Sequence, residues 1–228
     1  SITKGFEYSD CWVDDARLVA LNAMQAREKG AEILTRTKCV DIKREGAHWR
    51  VSLQNMRDGE KRDVRAKALV NAAGPWVQSL FEEEMGQTPP RKIRLVKGSH
   101  IIVQKLFEGD HCYILQNEDN RIVFAIPYEG QFTLIGTTDV EITGDPSNAS
   151  IDQQERDYLV TLINGYFKKQ ISDDDIVHAY SGVRSLLDDE EDDPSAVTRD
   201  YVLVKSGGEG APGLVSVFGG KITTYRVL

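Results

Sequence analysis

The chain has 228 residues, enough for one large domain or two small ones around a real buried core. Its 40% hydrophobic and 28% charged residues are ordinary for a globular protein and argue against wholesale disorder, collagen-like repeats and fibres. With 36 acidic residues against 28 basic ones the net charge is −8, so the basic footprint of a nucleic-acid binder is absent and an anionic ligand would need a local basic pocket.

No apolar run approaches the roughly 18 residues of a membrane-spanning helix, and the start lacks the charged-then-apolar profile of a signal peptide. Cys11, Cys39 and Cys112 are odd in number and far apart, which fits a reducing compartment better than a disulfide scaffold. His48, His100, His111 and His178 form no metal-binding spacing with each other or with the cysteines, so no metal site is expected. The chain opens on Ser1 and stops at Leu228 just after a glycine pair; both ends are expected to be cuts within a longer protein.

Asp14 and Asp15 precede Ala16, Val19, Ala20 and Ala23 at helical spacing, and Gly30 sits where a C-cap belongs; this predicts a mostly buried helix. Short strands are expected at Ala31–Leu34 and Cys39–Ile42, then an alternating strand through Trp49, Val51 and Leu53, a turn at 56–60, and a strand from Val64 to Val70. That strand runs into Asn71-Ala72-Ala73-Gly74-Pro75-Trp76. After Pro89-Pro90, four β-rich runs (Ser99–Val103, Cys112–Leu115, Ile122–Ile126 and Phe132–Gly136) predict an antiparallel sheet. Ser150-Ile151-Asp152-Gln153 reads as a capping box for a helix that lays Leu159, Leu162, Ile163 and Tyr166 on the sheet. Strands Val177–Arg184, Val197–Val204 and Leu214–Phe218 follow, the last ending in Gly219-Gly220-Lys221 and a helix start. The expected division is 1–76, 77–175 and 176–228. Between the first two of these strands, Asp188–Asp193 is six acids in a row, read as a solvated loop that carries six of the eight excess negative charges.

Four places could carry chemistry. Two glycines closing a strand at Gly219-Gly220 let a ligand approach the backbone, and the helix start with Lys221 offers positive charge; an ordinary turn with a surface lysine would look the same. Arg184 and Arg199, within apolar strand patterns, suit bidentate binding of phosphate or carboxylate, or purely structural pairing. Ala73 and Gly74 end a strand with small residues, as a nucleotide crevice or a tight turn would. His100 is either a packed interior histidine or a site residue. No G-x-G-x-x-G follows a strand anywhere in the chain.

Taken together, Phe6–Leu18, Asn71–Trp76, Leu95–Ile101, Ile135–Asp139, Tyr180–Arg184, Ala196–Tyr201 and Phe218–Arg226 resemble, in order, the aerobic FAD-dependent glycerol-3-phosphate dehydrogenases. The resemblance implies a D-amino-acid-oxidase-like flavoprotein of α/β and α+β class. In it, a partial FAD-binding domain is interrupted by an antiparallel-sheet substrate domain with covering helices. It implies oxidation of sn-glycerol 3-phosphate to dihydroxyacetone phosphate by hydride transfer to FAD, with electrons passed to quinone at the cytoplasmic membrane face, where the protein is peripheral. It implies Arg184, Arg199 and Lys221 as catalytic and substrate-binding residues and His100 as a further substrate contact. Ala73, Gly74, Gly219, Gly220, Lys221, Ile222 and Thr223 would lie against the cofactor. The family's glycine fingerprint is absent, so the chain alone is expected to bind FAD poorly and lack turnover. A glycerol-3-phosphate oxidase, another oxidase of the same fold, and a non-catalytic binding module are the alternatives.

Overall fold

A computed structural model describes residues 4–188, 200–208 and 210–228. Helix α1 (Asp15–Glu28) starts where Asp14 Oδ1 accepts the Arg17 N–H at 3.0 Å, and it stops at Gly30, whose φ of 95° only glycine adopts freely. Contrary to the expected burial, none of its residues is buried: Val19, Leu21 and Met24 face outward because no described element is laid over them.

Strands β1 (Thr37–Glu45), β2 (His48–Asn55) and β3 (Lys61–Ala66) form an antiparallel meander. Ala31–Leu34, expected as a strand, is irregular; Ile33 and Leu34 are exposed and gain nothing from pairing. The strand expected from Val64 to Val70 is two, because the chain leaves the meander at Lys67 and β4 (Ala68–Asn71) joins a different sheet. There β12 (Gly213–Gly219) lies between β4, which it pairs in parallel, and β11 (Tyr201–Ser206), which it pairs antiparallel. Beyond β4, a 3-10 turn (Gly74–Trp76) leads into α2 (Val77–Ser79) and a wider π turn (Leu80–Glu84). Trp49, Val77, Phe81, Leu214 and Phe218 close one core between meander and mixed sheet, and Trp49 Nε1 donates to the Gly213 carbonyl at 2.9 Å.

The second core belongs to a six-stranded sheet. Its central strand β5 (Ile93–Gln104) pairs on one edge with β10 (Ile176–Leu187) and on the other with β8 (Phe132–Gly136) and the short β9 (Val140–Ile142); β7 (Ile122–Tyr128) and β6 (Tyr113–Gln116) continue outward from β8. The residues of β10, placed by the sequence division in the returning segment, thus belong by pairing to this sheet. Helix α3 (Gln153–Tyr166) packs Leu159 and Ile163 against Ile101, Val103 and Ile135. Each such side chain, fully buried, contributes about 1.5–3 kcal/mol. The capping box is Asp152 with Glu155, two residues later than expected, because the backbone turns helical at Gln153.

One further expectation changes, and another lies outside the described residues. After Gly220 the chain makes a 3-10 turn (Ile222–Thr224) where a helix start is expected. Residues 197–199 of the expected strand, and Asp189–Asp193 of the acidic run, lie outside the described residues. Cys11, Cys39 and Cys112 are all unpaired.

Candidate functional site

Side chains alternate across β5. Lys97, Ser99, Ile101 and Val103 form its α3 face, while Gly98 and His100 face the other way with their cross-strand partners Gly182 and Tyr180. Arg184, two residues along from Gly182, shares that second face.

His100 and Tyr180 stack with ring centroids 5.0 Å apart and planes 9° from parallel. On the other side of the imidazole is Gly136, directly opposite in the register. A Cβ there would come within 2.2 Å of His100 Cδ2, so glycine at 136 is what lets the ring lie flat against the neighbouring strand. Burial, then the positive charge of Arg184, push the His100 pKa down to about 4; the Asp15 carboxylate at the start of α1 pulls weakly the other way. His100 Nδ1 is buried with no hydrogen-bond partner among the described residues. Burial also raises the Tyr180 phenol, assisted by Asp15 and Tyr128.

The Arg184 guanidinium donates to Asp139 Oδ1 at 2.6 Å and to Thr137 Oγ1 at 3.2 Å. Among the described residues these contacts use two of its five N–H donors. Gly98 makes room for it: a Cβ there would sit 2.6 Å from Nη2. The tip of an arginine can swing away whereas a packed imidazole cannot, so a side chain at 98 moves Arg184, while one at 136 strains the core.

Two glycine turns complete the picture. β4 and β12 run parallel, so their carboxyl ends open on the same side, the place where nucleotides meet an open α/β sheet. After β4 come Ala73, whose N–H reaches Asn71 Oδ1 at 3.3 Å, and Gly74, with φ 55° and open space where a Cβ would project. β12 ends on Gly219 and is followed by Gly220, with φ 73° and 87°. The Gly74–Trp76 turn touches both β10 and β12, and a Cβ at Gly219 would meet Leu187 of β10. Since Arg184 lies three residues before Leu187, about 10 Å along the strand, β10 physically links the arginine to the glycine turns. Lys221 is exposed beside Ile222, and its ammonium has no acid within ion-pair distance among the described residues. Of these glycines only Gly74 opens on free space; Gly219 and Gly220 are packed against Asp200, Leu187 and Tyr201, so their lack of a side chain is what lets the chain turn there. Residues 1–226 match the family model described as FAD dependent oxidoreductase.

The chain belongs to that family. It is 58% identical over 227 residues to a glycerol-3-phosphate dehydrogenase of Pseudomonas tolaasii, covering 100% of this chain and 44% of the relative. To a D-erythritol 1-phosphate dehydrogenase of Brucella abortus it is 54% identical over 226 residues, covering 99% and 45%. The solved glycerol-3-phosphate dehydrogenase of Bacillus halodurans complexed with FAD superposes with a TM-score of 0.76 at 29% identity, over 94% of this chain and 40% of that one. The chain thus spans under half the length of these relatives.

Of the site residues expected in this FAD-dependent oxidoreductase, the structure brings His100 and Arg184 onto one sheet face and groups Ala73, Gly74, Gly219 and Gly220 at adjacent strand ends. Lys221 and Ile222 follow directly in the 3-10 turn, as does the backbone of Thr223. Arg199 lies outside the described residues. Tyr180, Thr137 and Asp139 were not singled out, although they surround the two central residues. Their links span 80, 47 and 45 positions and leave no local pattern. Asp139 also corrects the charge expected there: a carboxylate 2.6 Å from the guanidinium offsets part of its attraction for an anion. Among the described residues no group of three or more His, Cys, Asp or Glu is placed to hold a metal ion.

The His100 environment gives a direct test. The imidazole signal is expected to titrate only below about pH 5, with a midpoint near 4. Because the folded value lies below the ordinary 6.5, the unfolded chain binds more protons between these limits. Stability from this group is therefore full above pH 6.5, falls as the pH drops toward 4, and levels off below it. Gly136→Ala should cost about 1–3 kcal/mol of stability through overpacking and return the displaced imidazole toward a midpoint of about 6.5. An NMR titration of both proteins reads the two effects together.

Proposed function

We propose that the full-length protein oxidises sn-glycerol 3-phosphate to dihydroxyacetone phosphate, and that this chain supplies the substrate face of its pocket and part of the cofactor cradle. The observation that carries the proposal is the single sheet face on which an arginine held by Asp139 and Thr137 lies next to a histidine held neutral, joined through β10 to two glycine turns. The names and 54–58% identities of the two curated relatives support the same substrate class, a polyol carrying one phosphate.

In this proposal Arg184 grips the phosphate, and Arg199 and Lys221 supply the remaining positive charge. His100 carries no charge near neutral pH, so it does not compete for the phosphate; with Nδ1 buried, Nε2 is the ring nitrogen that would meet a substrate hydroxyl. Ala73 and Gly74, with Gly219, Gly220, Ile222 and Thr223, would hold FAD, which supplies a two-electron acceptor when bound. Lys221 would stand at the edge of the ring and favour the negative charge that builds up as the substrate is oxidised. Passage of electrons to a membrane quinone, from a peripheral position on the cytoplasmic face, extends this reading and rests on the sequence resemblance. No helix among the described residues is long and apolar enough to cross a membrane.

Purified, FAD-loaded full-length protein decides the matter. Expected is rapid reduction of a quinone analogue with glycerol 3-phosphate, slower reduction with erythritol 1-phosphate, none with glycine-type amino acids, and little hydrogen peroxide. Oxidation of amino acids without phosphate esters would refute the substrate, and peroxide matching turnover would make the protein an oxidase.

A further inference from the structure

We propose that Glu155, on the α3 face of the sheet, is a positioning residue for Arg184 on the opposite face, acting through Thr138; the inference rests on the reading of Arg184 as the phosphate-binding residue.

The link is a bulge opposite β5. Pairing of β8 with β5 ends at Gly136 opposite His100, and pairing of β9 begins at Val140 opposite Lys97. Between them, three residues (Thr137, Thr138 and Asp139) oppose only Gly98 and Ser99. The extra residue breaks the ladder and re-aims side chains, as bulges do. Thr137 and Asp139 turn to the site face and hold the Arg184 guanidinium at 3.2 and 2.6 Å. Thr138 turns the other way and is buried, where its hydroxyl accepts the Ser99 N–H at 2.9 Å and donates to Glu155 Oε1 at 2.6 Å.

Glu155 is well anchored for this task. Oε1 also accepts the Ser99 hydroxyl at 2.8 Å, and Oε2 accepts the Asp152 N–H at 3.0 Å and the Lys97 ammonium at 2.8 Å. Lys97 in turn donates to the Ser150 carbonyl at 2.8 Å. A capping-box glutamate does its helical work on a protein surface. Here it is only 4% exposed and Lys97 only 6%, and burying such a pair brings little net stability over an apolar filling. What the buried network does fix is the position of Thr138, and with it the two side chains on either side that orient Arg184. The network also reaches β10 itself, where Ser181 Oγ meets Ser99 Oγ at 2.8 Å.

The test uses the FAD-loaded full-length protein. Thr138→Val keeps the shape and removes both hydroxyl bonds, Thr138→Ser keeps the hydroxyl, and Glu155→Gln weakens the anchor. Displacing a positioned group by about 1 Å costs up to about a hundred-fold. A phosphate contact remote from the reacting carbon acts on ground and transition states alike, so KM rises and kcat does not fall. Thr138→Val and Glu155→Gln should therefore raise KM for glycerol 3-phosphate by roughly five- to a hundred-fold with kcat within about twofold. Thr138→Ser should behave as wild type, and in an Arg184→Lys background Thr138→Val should add almost nothing. An unchanged KM for Thr138→Val while Arg184→Ala raises it overturns the inference alone. Loss of folding or flavin content in Thr138→Val, without a KM effect, assigns the network to stability and likewise overturns it. Absence of any glycerol 3-phosphate turnover in wild type, or indifference to Arg184→Ala, overturns the reading of Arg184 and the inference with it.

Discussion

Replacing Arg184 with alanine in the FAD-loaded full-length protein is expected to lower kcat/KM for glycerol 3-phosphate by roughly 30- to 5,000-fold. That range corresponds to the about 2–5 kcal/mol lost when one partner of a desolvated charged contact is removed. Stability should change far less. The Arg184–Asp139 pair is about one-third exposed on both sides, and exposed ion pairs contribute about 0–1 kcal/mol. Steady-state kinetics with thermal unfolding separates the two effects: a collapsed melting temperature with normal kinetics would make Arg184 a structural strut. Arg184→Lys should recover part of the loss, since it restores charge but not the planar fork that Asp139 and Thr137 orient.

The second large effect is expected at Lys221. Lys221→Met keeps the apolar stem and removes the charge, and substrate-dependent bleaching of the flavin absorbance should slow by roughly ten- to a thousand-fold, one to three steps of about 1.36 kcal/mol. Lys221 stands directly before the 3-10 turn Ile222–Thr224, and this substitution tests its ammonium while leaving the backbone of that turn intact. Flavin content should stay normal, because the glycine turns on either side of the sheet end are untouched. Rapid mixing measures the rate; an unchanged rate at normal flavin content would leave Lys221 an ordinary surface lysine.

Local rules recovered what is locally encoded. The Asp14 cap, the Gly30 stop, the Trp49 alternation and the antiparallel runs all correspond to structure, because capping and period-two burial act over a few residues. The failures share a cause. Nothing within Val64–Val70 reveals that the chain changes sheets at Lys67, since both halves alternate alike and the difference lies in partners far along the chain. The apolar face of α1 promised burial, but periodicity reports only which side would be covered, not whether anything covers it. At the site, Arg184, His100 and the glycines stood out as strand-end residues, and the family-like strings also contain Tyr180 and Asp139; what those two touch depends on register and on a bulge that no spacing rule exposes.

The parallel pairing of β4 with β12 has a consequence for how the molecule is made. Leu69 and Leu214 are neighbours in the sheet but 145 residues apart along the chain. At the usual pace of about 5–20 residues per second, β4 waits roughly 7–30 s on the ribosome before its partner is synthesised. The six-stranded sheet, contiguous from Ile93 to Leu187, is complete before β12 appears and can collapse onto α3 in the meantime. The sheet face that carries His100 and Arg184 can therefore form before the β4–β12 pairing closes, and until then the edge of β4 that faces β12 has no partner from that strand.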